Sequence, residues 1–97
     1  MIIRGSTIPQ IKGRKDYGIG LLQDKLGHFT VRVTTPDNPF TPHKHDGLEF
    51  WYIIEGEGIV TLDDAESPIK AGDLVVLKPW VTHGLRTETS VRWICFG

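Results

Sequence analysis

The hydrophobic positions of this chain fall in short runs, which glycine or proline interrupts every few residues. The runs are rich in Val, Ile, Thr and aromatic residues, which favour strands, and none has the length or the 3.6-residue period of an amphipathic helix. The pattern therefore predicts an all-β protein. The predicted strands cover residues 17–22, 28–34, 49–55, 58–62, 73–77, 83–87 and 91–96, with a possible edge strand at 67–70 and a turn at 55–58.

Alternation within the predicted strands separates their two faces. Residues 28–34 place Phe29, Val31 and Val33 on one face and Thr30, Arg32 and Thr34 on the other, and the pattern leaves open which face is inside. Residues 51–54 and 74–77 are apolar on both faces. Such strands occur in a sandwich or barrel whose outer face is covered by a second sheet or a second subunit, so we expect a homodimer.

A chain of 97 residues forms one domain with a thin core. We assign residues 1–27 to an N-terminal segment with an edge strand, and residues 28–97 to the barrel core of the same domain. A bound metal or a partner subunit would add the stability that so small a core lacks. Chain length therefore also favours a homodimer.

The composition argues against several classes of protein. The single cysteine, Cys95, allows neither an internal disulfide nor a zinc site with two thiolates, and we expect it to be a small buried hydrophobe. No apolar run has the length of a signal peptide core or a membrane span, so we expect a cytoplasmic protein without a membrane partner. A net charge of -1 argues against nucleic acid, and we interpret the basic cluster at residues 12–15 as a solvated loop.

Three of the four histidines and one glutamate are candidate metal ligands. His43 and His45 have the spacing of neighbours on one face of a strand, about 6.5 to 7 Å apart, so both imidazoles can reach one ion. Glu49 has the same parity, although residues 46–47 could bend the chain before it. His83 begins another predicted strand, which the fold could bring to the same point. Three imidazoles and one carboxylate suit a first-row divalent ion and leave two positions open in an octahedron.

The spacing of these residues resembles the two motifs of the cupin superfamily. The first motif is His-x-His, three or four residues, Glu, six residues and Gly, and it is matched by His43, His45, Glu49 and Gly56. The second motif has a Gly eleven residues before a His with a Pro between them, and it is matched by Gly72, Pro79 and His83. The resemblance covers residues 28–96 and is strongest to small, microbial, single-domain cupins of the RmlC-like type.

The resemblance implies a small jelly-roll β-barrel with one divalent ion in its mouth, which would be Mn, Fe, Co, Ni, Cu or Zn. The implied ligands are His43, His45, Glu49 and His83. The chain departs from the family pattern at Asp37, at Trp80-Val81, at Thr87 and in the position of the motif-two proline, which comes one residue late. These are turn or supporting positions, so the departures concern local geometry and leave the ligand set intact.

Two more residues are candidates for substrate binding. If Glu49 faces inward, so does Trp51, which would be either a floor for a sugar ring or an apolar wall in the core. Arg32 would clamp a carboxylate bidentately if its face of the strand is the interior, and would otherwise be exposed to solvent. We interpret His28 as a surface or strand-end residue. The sequence assigns no catalytic residue.

The expected ligand set supports three kinds of function. A metalloenzyme of the isomerase or lyase type would act on a small sugar, a uronate or another organic acid, because a divalent ion polarises the oxygens of a chelated substrate. A metal-dependent dioxygenase would use the same ligands with a redox-active ion. In a binding module without turnover, the ion would anchor a ligand or stabilise the thin barrel.

Overall fold

The computed structural model of the protein describes residues 1, 3–21 and 26–97. This part of the chain is mostly strand, which confirms the predicted all-β class. It also contains two short 3-10 turns, Gly5–Thr7 and Ile19–Leu21. The strands are β1 (Arg14–Asp16), β2 (Phe29–Thr34), β3 (Phe40–His43), β4 (Glu49–Leu62), β5 (Ala65–Lys70), β6 (Leu74–Leu77), β7 (His83–Arg86) and β8 (Val91–Phe96).

The long strand β4 connects two antiparallel sheets. Its first half pairs with β6 on one side and with β8 on the other, and β8 continues the sheet to β2 and β1. Its second half pairs with β5 and β7, and β7 continues the other sheet to β3. The two sheets curl around one core and form the small jelly-roll barrel that the sequence predicts.

The bend that lets β4 serve both sheets lies where the sequence predicts a turn. The pairing of β4 with β8 shifts register between Ile53 and Glu55, and Gly56 has a φ of 90°. A Cβ at Gly56 would lie 2.1 Å from the carbonyl oxygen of Ser90, so the neighbouring strand leaves no room for a side chain. The predicted turn at 55–58 is therefore wrong: the two predicted strands are one strand with a bulge.

Three other differences concern short or irregular segments. The predicted strand at 17–22 is wrong over its described part, where Gly18 has a φ of 64° and Ile19–Leu21 form a 3-10 turn. Residue 22 lies outside the described residues. The edge strand of this region is instead β1, which includes part of the basic cluster interpreted as a loop. Strand β3 contains Pro42 and is exposed along most of its length, so no alternation indicates it.

The core fills the space between the two sheets with large side chains. Trp51, Ile53, Leu77 and Trp93 are fully buried, and Trp51 and Trp93 contact each other with ring centroids 4.5 Å apart. On the outer side of β4, Phe50 is half-buried and Tyr52 and Ile54 are exposed, so the alternation follows the predicted parity. Burial of these apolar side chains is the main stabilising contribution to a barrel of this size.

Strand β2 has the reverse of the usual orientation, with its polar face directed into the barrel. Thr30 and Thr34 are 1% and 2% exposed, and Thr34 accepts a hydrogen bond of 2.9 Å from the buried indole of Trp93. Arg32 shares this face and has its guanidinium carbon 4.7 Å from the centroid of Phe40. The sequence leaves open which face of β2 is inside. In the structure it is the polar face, so Arg32 points inward.

The helical segments of the described residues are short, three residues each. None of the helical segments there is long and apolar enough to cross a bilayer.

The close approach at Gly56 predicts unequal effects for two glycine substitutions. Gly72 has a φ of 94°, close to that of Gly56, but nothing lies within 4 Å of a Cβ built there. We expect Gly72→Ala to lower the free energy of unfolding by about 1–2 kcal/mol through backbone strain alone. Gly56→Ala is expected to lower it by about 3 kcal/mol or more, because the clash with Ser90 adds to the strain. Urea unfolding followed by tryptophan fluorescence measures both, and equal losses would contradict the role of the close approach.

Candidate metal centre

Strand pairing brings the three histidines and Glu49 to one end of the barrel. His43 ends β3 and His83 begins β7, and the two are direct partners in the register of these strands. Glu49 begins β4, and His45 lies in the connection that leads to it. Ring centroids are 4.5 Å apart for His43 and His83, 4.8 Å for His45 and His83, and 5.9 Å for His43 and His45. One nitrogen of each ring lies within 4.8 Å of the corresponding atom in the other two rings.

The connection that carries His45 is held by a strained turn on the neighbouring loop. The backbone N–H of Trp80 donates to the carbonyl of His45 over 2.7 Å. Trp80 has a φ of 66°, in the left-handed region that favours glycine, and it lies in the turn where the cupin pattern has its second glycine. Trp80, which stands in place of a glycine, therefore adopts a left-handed backbone conformation, and this costs about 1 kcal/mol of conformational energy.

Backbone carbonyls orient two of the imidazoles. Nδ1 of His43 lies 3.0 Å from the carbonyl oxygen of Thr41, and Nδ1 of His83 lies 2.8 Å from that of Val81. Because a carbonyl only accepts, each Nδ1 carries the hydrogen and each Nε2 presents a lone pair. Metal-binding histidines are typically fixed in this way by an outer hydrogen bond.

The Glu49 carboxylate lies among these rings and is almost completely buried. Its Oε2 is 2.8 Å from Nε2 of His45 and 3.6 Å from Nε2 of His83. Nε2 of His83 is buried and has no hydrogen-bond partner among the described residues. A lone pair on this nitrogen therefore faces an oxygen that also only accepts, an arrangement that a cation between them would stabilise. The residues present thus fit a divalent ion bound by three nitrogens and one oxygen.

The ionisation of this cluster also favours metal binding. Burial alone raises the pKa of Glu49, but hydrogen bonds from Cys95 and His45 and the charges of His45 and His28 overcome it and lower the pKa below its ordinary value. Burial lowers the pKa of His83, against the opposing hydrogen bond to Val81. The carboxylate is thus charged and the His83 ring neutral, which are the forms that bind metals.

The cluster is closed towards the core and open on its other side. His83 is 1% exposed, whereas His43 is exposed and the side chain of His45 is 38% exposed. Phe40 lies beneath the cluster, with its ring nearly parallel to that of His83 at 6.3 Å. A small molecule can therefore approach an ion from the solvent side, past His43 and His45.

Arg32 and Trp51, the two candidates for substrate binding, both lie on the inner side of their strands. Trp51 is fully buried against Phe40 and Trp93, so its ring is an apolar wall of the core. Arg32 is half-buried, and burial above all lowers its pKa, against the opposing influence of Cys95 and Glu49. Nε of Arg32, Nε1 of Trp51 and the hydroxyl of Thr30 are buried without hydrogen-bond partners among the described residues.

Arg32 also borders an open cleft of about 540 Å³. The cleft lies between the N-terminal segment and the barrel, and Lys12 and Arg14 contribute to its lining. The only acidic residue among the lining residues, Asp16, is paired with Arg14 at 3.1 Å. The lining is therefore positively charged, a property that favours small anions.

Two residues of the cluster were not predicted as site residues. His28 has its Nε2 3.3 Å from Oε1 of Glu49 and 3.2 Å from Sγ of Cys95. Cys95 is buried in the hydrophobic core as predicted, and its thiol also donates a hydrogen bond to the same oxygen, a contact that the sequence did not indicate. Burial raises the pKa of Cys95, and the adjacent Glu49 raises it further, so the thiol keeps its hydrogen.

No signal in the sequence relates these two residues to Glu49. His28 lies 21 positions before Glu49, Cys95 lies 46 positions after it, and neither belongs to a motif with it. Alternation does place His28 on the face of Arg32, so an inward orientation of that face would have been a clue. His28 is a strand-end residue as predicted, directly before β2, but its 37% exposed side chain also contacts the cluster.

Comparison with known families agrees with the ligand spacing. The sequence matches the Cupin domain family, Cupin_2, over residues 29–97. The chain therefore belongs to the cupin family, as its two motifs indicate.

Two curated relatives match about half of the chain. An uncharacterised protein of Methanocaldococcus jannaschii is 40% identical over 50 residues, which are 50% of this chain and 40% of the relative. The dimethylsulfoniopropionate lyase DddW of Ruegeria pomeroyi is 37% identical over 49 residues, which are 50% of this chain and 32% of the lyase. The match thus spans less than half the length of each relative.

Solved structures share the fold over nearly the whole chain. The crystal structure of a predicted oxalate decarboxylase of Thermotoga maritima superposes with a TM-score of 0.80 and 24% identity, covering 99% of this chain and 96% of the other. At this level of identity the similarity establishes the fold alone.

Proposed function

We propose that this cupin binds one divalent transition metal ion through His43, His45, Glu49 and His83. The proposal rests chiefly on the buried Nε2 of His83, which has no partner among the described residues and faces Oε2 of Glu49 at 3.6 Å. A bond length of about 2.1 Å from each donor to an ion gives donor separations of about 3 to 3.5 Å. The ion is one of Mn, Fe, Co, Ni, Cu or Zn.

The substrate class that we propose is a small organic acid, including uronates. The polar face of β2 supports this, because it directs the hydroxyl of Thr30 and Nε of Arg32 into the barrel without partners among the described residues. A guanidinium forms paired hydrogen bonds with a carboxylate, and burial strengthens them. A neutral sugar would offer this half-buried guanidinium no carboxylate to pair with.

The proposed reaction is an isomerase or lyase step on that acid. A divalent ion would polarise the carbonyl or hydroxyl oxygens of a chelated acid and so make the neighbouring C–H bond more acidic. Arg32 would hold the carboxylate and fix its orientation, while the buried ring of Trp51 and the half-buried ring of Phe40 exclude water from the inner side. The lyase name of the Ruegeria pomeroyi relative is compatible with this class.

We also propose the cytoplasm as the location of the protein. Its single cysteine is free and buried in the barrel. A fold that uses a reduced thiol as a hydrogen-bond donor suits a reducing compartment.

Removal of one ligand tests the metal site. We expect wild-type protein purified without chelator to hold about one ion per chain, and His45→Ala to bind it more than about 10-fold less tightly. Lys44→Ala is the matched control, because Lys44 is exposed and lies between the two histidines. Elemental analysis and metal titration measure both variants. Unchanged metal content in His45→Ala would contradict the site, and iron accompanied by oxygen uptake would favour the dioxygenase alternative.

Ligand binding by Arg32 variants tests the substrate class. We expect metal-loaded protein to bind 2-hydroxy acids, 2-keto acids or uronates more tightly than the matching neutral sugars. Arg32→Gln is expected to weaken acid binding by about 10- to 100-fold, since a hydrogen bond to a charged group contributes about 1.5–3 kcal/mol. Arg32→Lys should recover only part of this, because lysine keeps the charge without the paired geometry. Calorimetric titration measures affinity, and an unchanged acid affinity in Arg32→Gln would contradict the assignment.

We further propose that the chain forms a symmetric homodimer through the outer side of its larger sheet. Four adjacent strands, β2, β8, β4 and β6, direct apolar side chains outward in cross-strand rows. We call this surface the outer apolar face. Its residues are Phe29, Val31, Val33, Phe50, Tyr52, Ile54, Leu74, Val76, Ile94 and Phe96.

The extent of the outer apolar face supports a second copy as its partner. Tyr52, Ile54, Leu74 and Val76 are 40% to 54% exposed, and the other members are half-buried. Together they expose on the order of 500 Å² of apolar surface, and contiguous patches of this size are often interaction sites. A standard interface buries about 800 Å² per partner, of which rather more than half is apolar. The face therefore has the size that one symmetric contact requires.

A charge placed in this face should dissociate the dimer. We expect Leu74→Glu to give monomers at concentrations where the wild-type protein is dimeric, because a buried unpaired carboxylate is costly in an interface. Ile11→Glu is the control, since Ile11 is 64% exposed but lies on the N-terminal segment. Sedimentation velocity at micromolar concentration measures the state of each protein. A monomeric wild-type protein would contradict this proposal and leave the metal site unaffected.

A further inference from the structure

The two oxygens of the Glu49 carboxylate face different sets of residues. Oε2 faces the imidazoles, at 2.8 Å from His45 and 3.6 Å from His83. Oε1 faces the opposite way, towards Nε2 of His28 at 3.3 Å and the thiol of Cys95, which donates a hydrogen bond to it. Since a carboxylate only accepts, Nε2 of His28 carries the hydrogen in this contact. Oε1 therefore has donors on both of its contacts, while Oε2 remains directed at the candidate metal centre.

A glycine directly after β8 lies between His28 and the start of β4. His28 and Gly97 exchange backbone hydrogen bonds of 3.2 and 3.3 Å, so they are neighbours at the edge of the β2–β8 pair. On the other side of Gly97, a Cβ would meet the carbonyl oxygen of Leu48 at 2.6 Å, just before Glu49. The absence of a side chain at Gly97 therefore lets this residue lie close to the backbone of Leu48 and Glu49, between His28 and the start of β4.

Cys95 reaches the same oxygen from the next row of the sheet. It is the register partner of Thr30 on β2 and of Trp51 on β4, and all three are buried on the inner face. The thiol is therefore enclosed by protein, with Oε1 of Glu49 as a hydrogen-bond acceptor. Rotation of the carboxylate away from this position would leave a buried donor without its acceptor.

We propose that His28 and Cys95 are positioning residues that hold Oε1 of Glu49, so that the carboxylate binds the ion through Oε2 alone. The inference rests on the proposed metal site and specifies how its acidic ligand is arranged. Chelation through both oxygens would require Oε1 to leave both donors. Glu49 therefore takes one coordination position instead of two, and the freed position is available to a chelating acid.

Substitutions that keep or remove each donor test this arrangement. Cys95→Ser and His28→Gln retain a hydrogen donor near the original position, whereas Cys95→Ala and His28→Phe remove it. Each variant is loaded with Co²⁺, whose visible absorption changes in position and intensity with coordination number, and Co²⁺ affinity is measured by competition with a chelator. Circular dichroism of the metal-free variants reports on folding.

We expect Cys95→Ala and His28→Phe to bind Co²⁺ about 10-fold less tightly and to change its spectrum, whereas Cys95→Ser and His28→Gln keep the wild-type spectrum. A merely structural role would lower stability without moving the spectrum of the bound ion. If Cys95→Ala does not fold, His28→Phe still decides, because the side chain of His28 is 37% exposed.

Three results would overturn the proposal, each in a distinguishable way. Wild-type spectra and affinities in both donor-free variants would show that Oε1 needs no donors. Two ions per wild-type chain, with the second lost in Cys95→Ser, would make Oε1, His28 and Cys95 ligands of another ion. Failure of the wild-type protein to bind Co²⁺ would overturn the proposed metal site itself, and with it this inference.

Discussion

A charged carboxylate buried among imidazoles is the constraint on which this site depends. Glu49 is 6% exposed, and a carboxylate is buried only where donors or cations compensate for lost hydration. His45, His28 and Cys95 supply donors, but Nε2 of His83 presents a second acceptor to the same group. Oε1 thus has two donors, whereas Oε2 has one donor, His45, and faces one unpaired acceptor, Nε2 of His83. An ion bound at Oε2 completes the cluster, and this asymmetry is the physical basis of the proposed function.

The reversed orientation of β2 connects the site with the proposed assembly. With its polar residues inside, the strand supplies the barrel with donors such as Arg32, which a purely apolar interior would lack. The same alternation necessarily directs Phe29, Val31 and Val33 outward. A second copy of the chain would then cover the surface that this arrangement exposes. Ligand binding by the inner face and dimerisation through the outer face would then both follow from the same orientation of β2.

Local pattern was sufficient to predict most of the fold and the four candidate ligands. The strands at 28–34, 73–77, 83–87 and 91–96 lie within about one residue of their predicted positions, because each has clear alternation or a compact apolar run. The ligands could be predicted because their spacing matches the two motifs, although His45 lies beyond the end of β3 and does not share a strand face with His43 as the spacing predicted. The sequence led us to expect that the ligands converge, and the pairing of β3 with β7 brings His43 and His83 together.

Long-range pairing explains what the sequence could not reveal. Alternation divides β2 into two faces but does not say which is inside, so the orientation of Arg32 remained open until the core was known. The contacts of His28 and Cys95 with Glu49 join residues 21 and 46 positions apart, through a neighbour relation that only the sheet creates. Likewise, a glycine pair at 56 and 58 normally marks a turn, and its use as a bend within β4 depends on the sheets on either side.

X-ray absorption spectroscopy of the metal-loaded wild-type protein tests the central claim most directly, because it counts ligands by type. The account predicts three imidazoles, one oxygen from Glu49, and further oxygens from water or a bound acid. It predicts no sulfur near about 2.3 Å, since Cys95 donates to Glu49 and does not bind the ion. A spectrum with fewer than three imidazoles, or with a sulfur ligand, would contradict it.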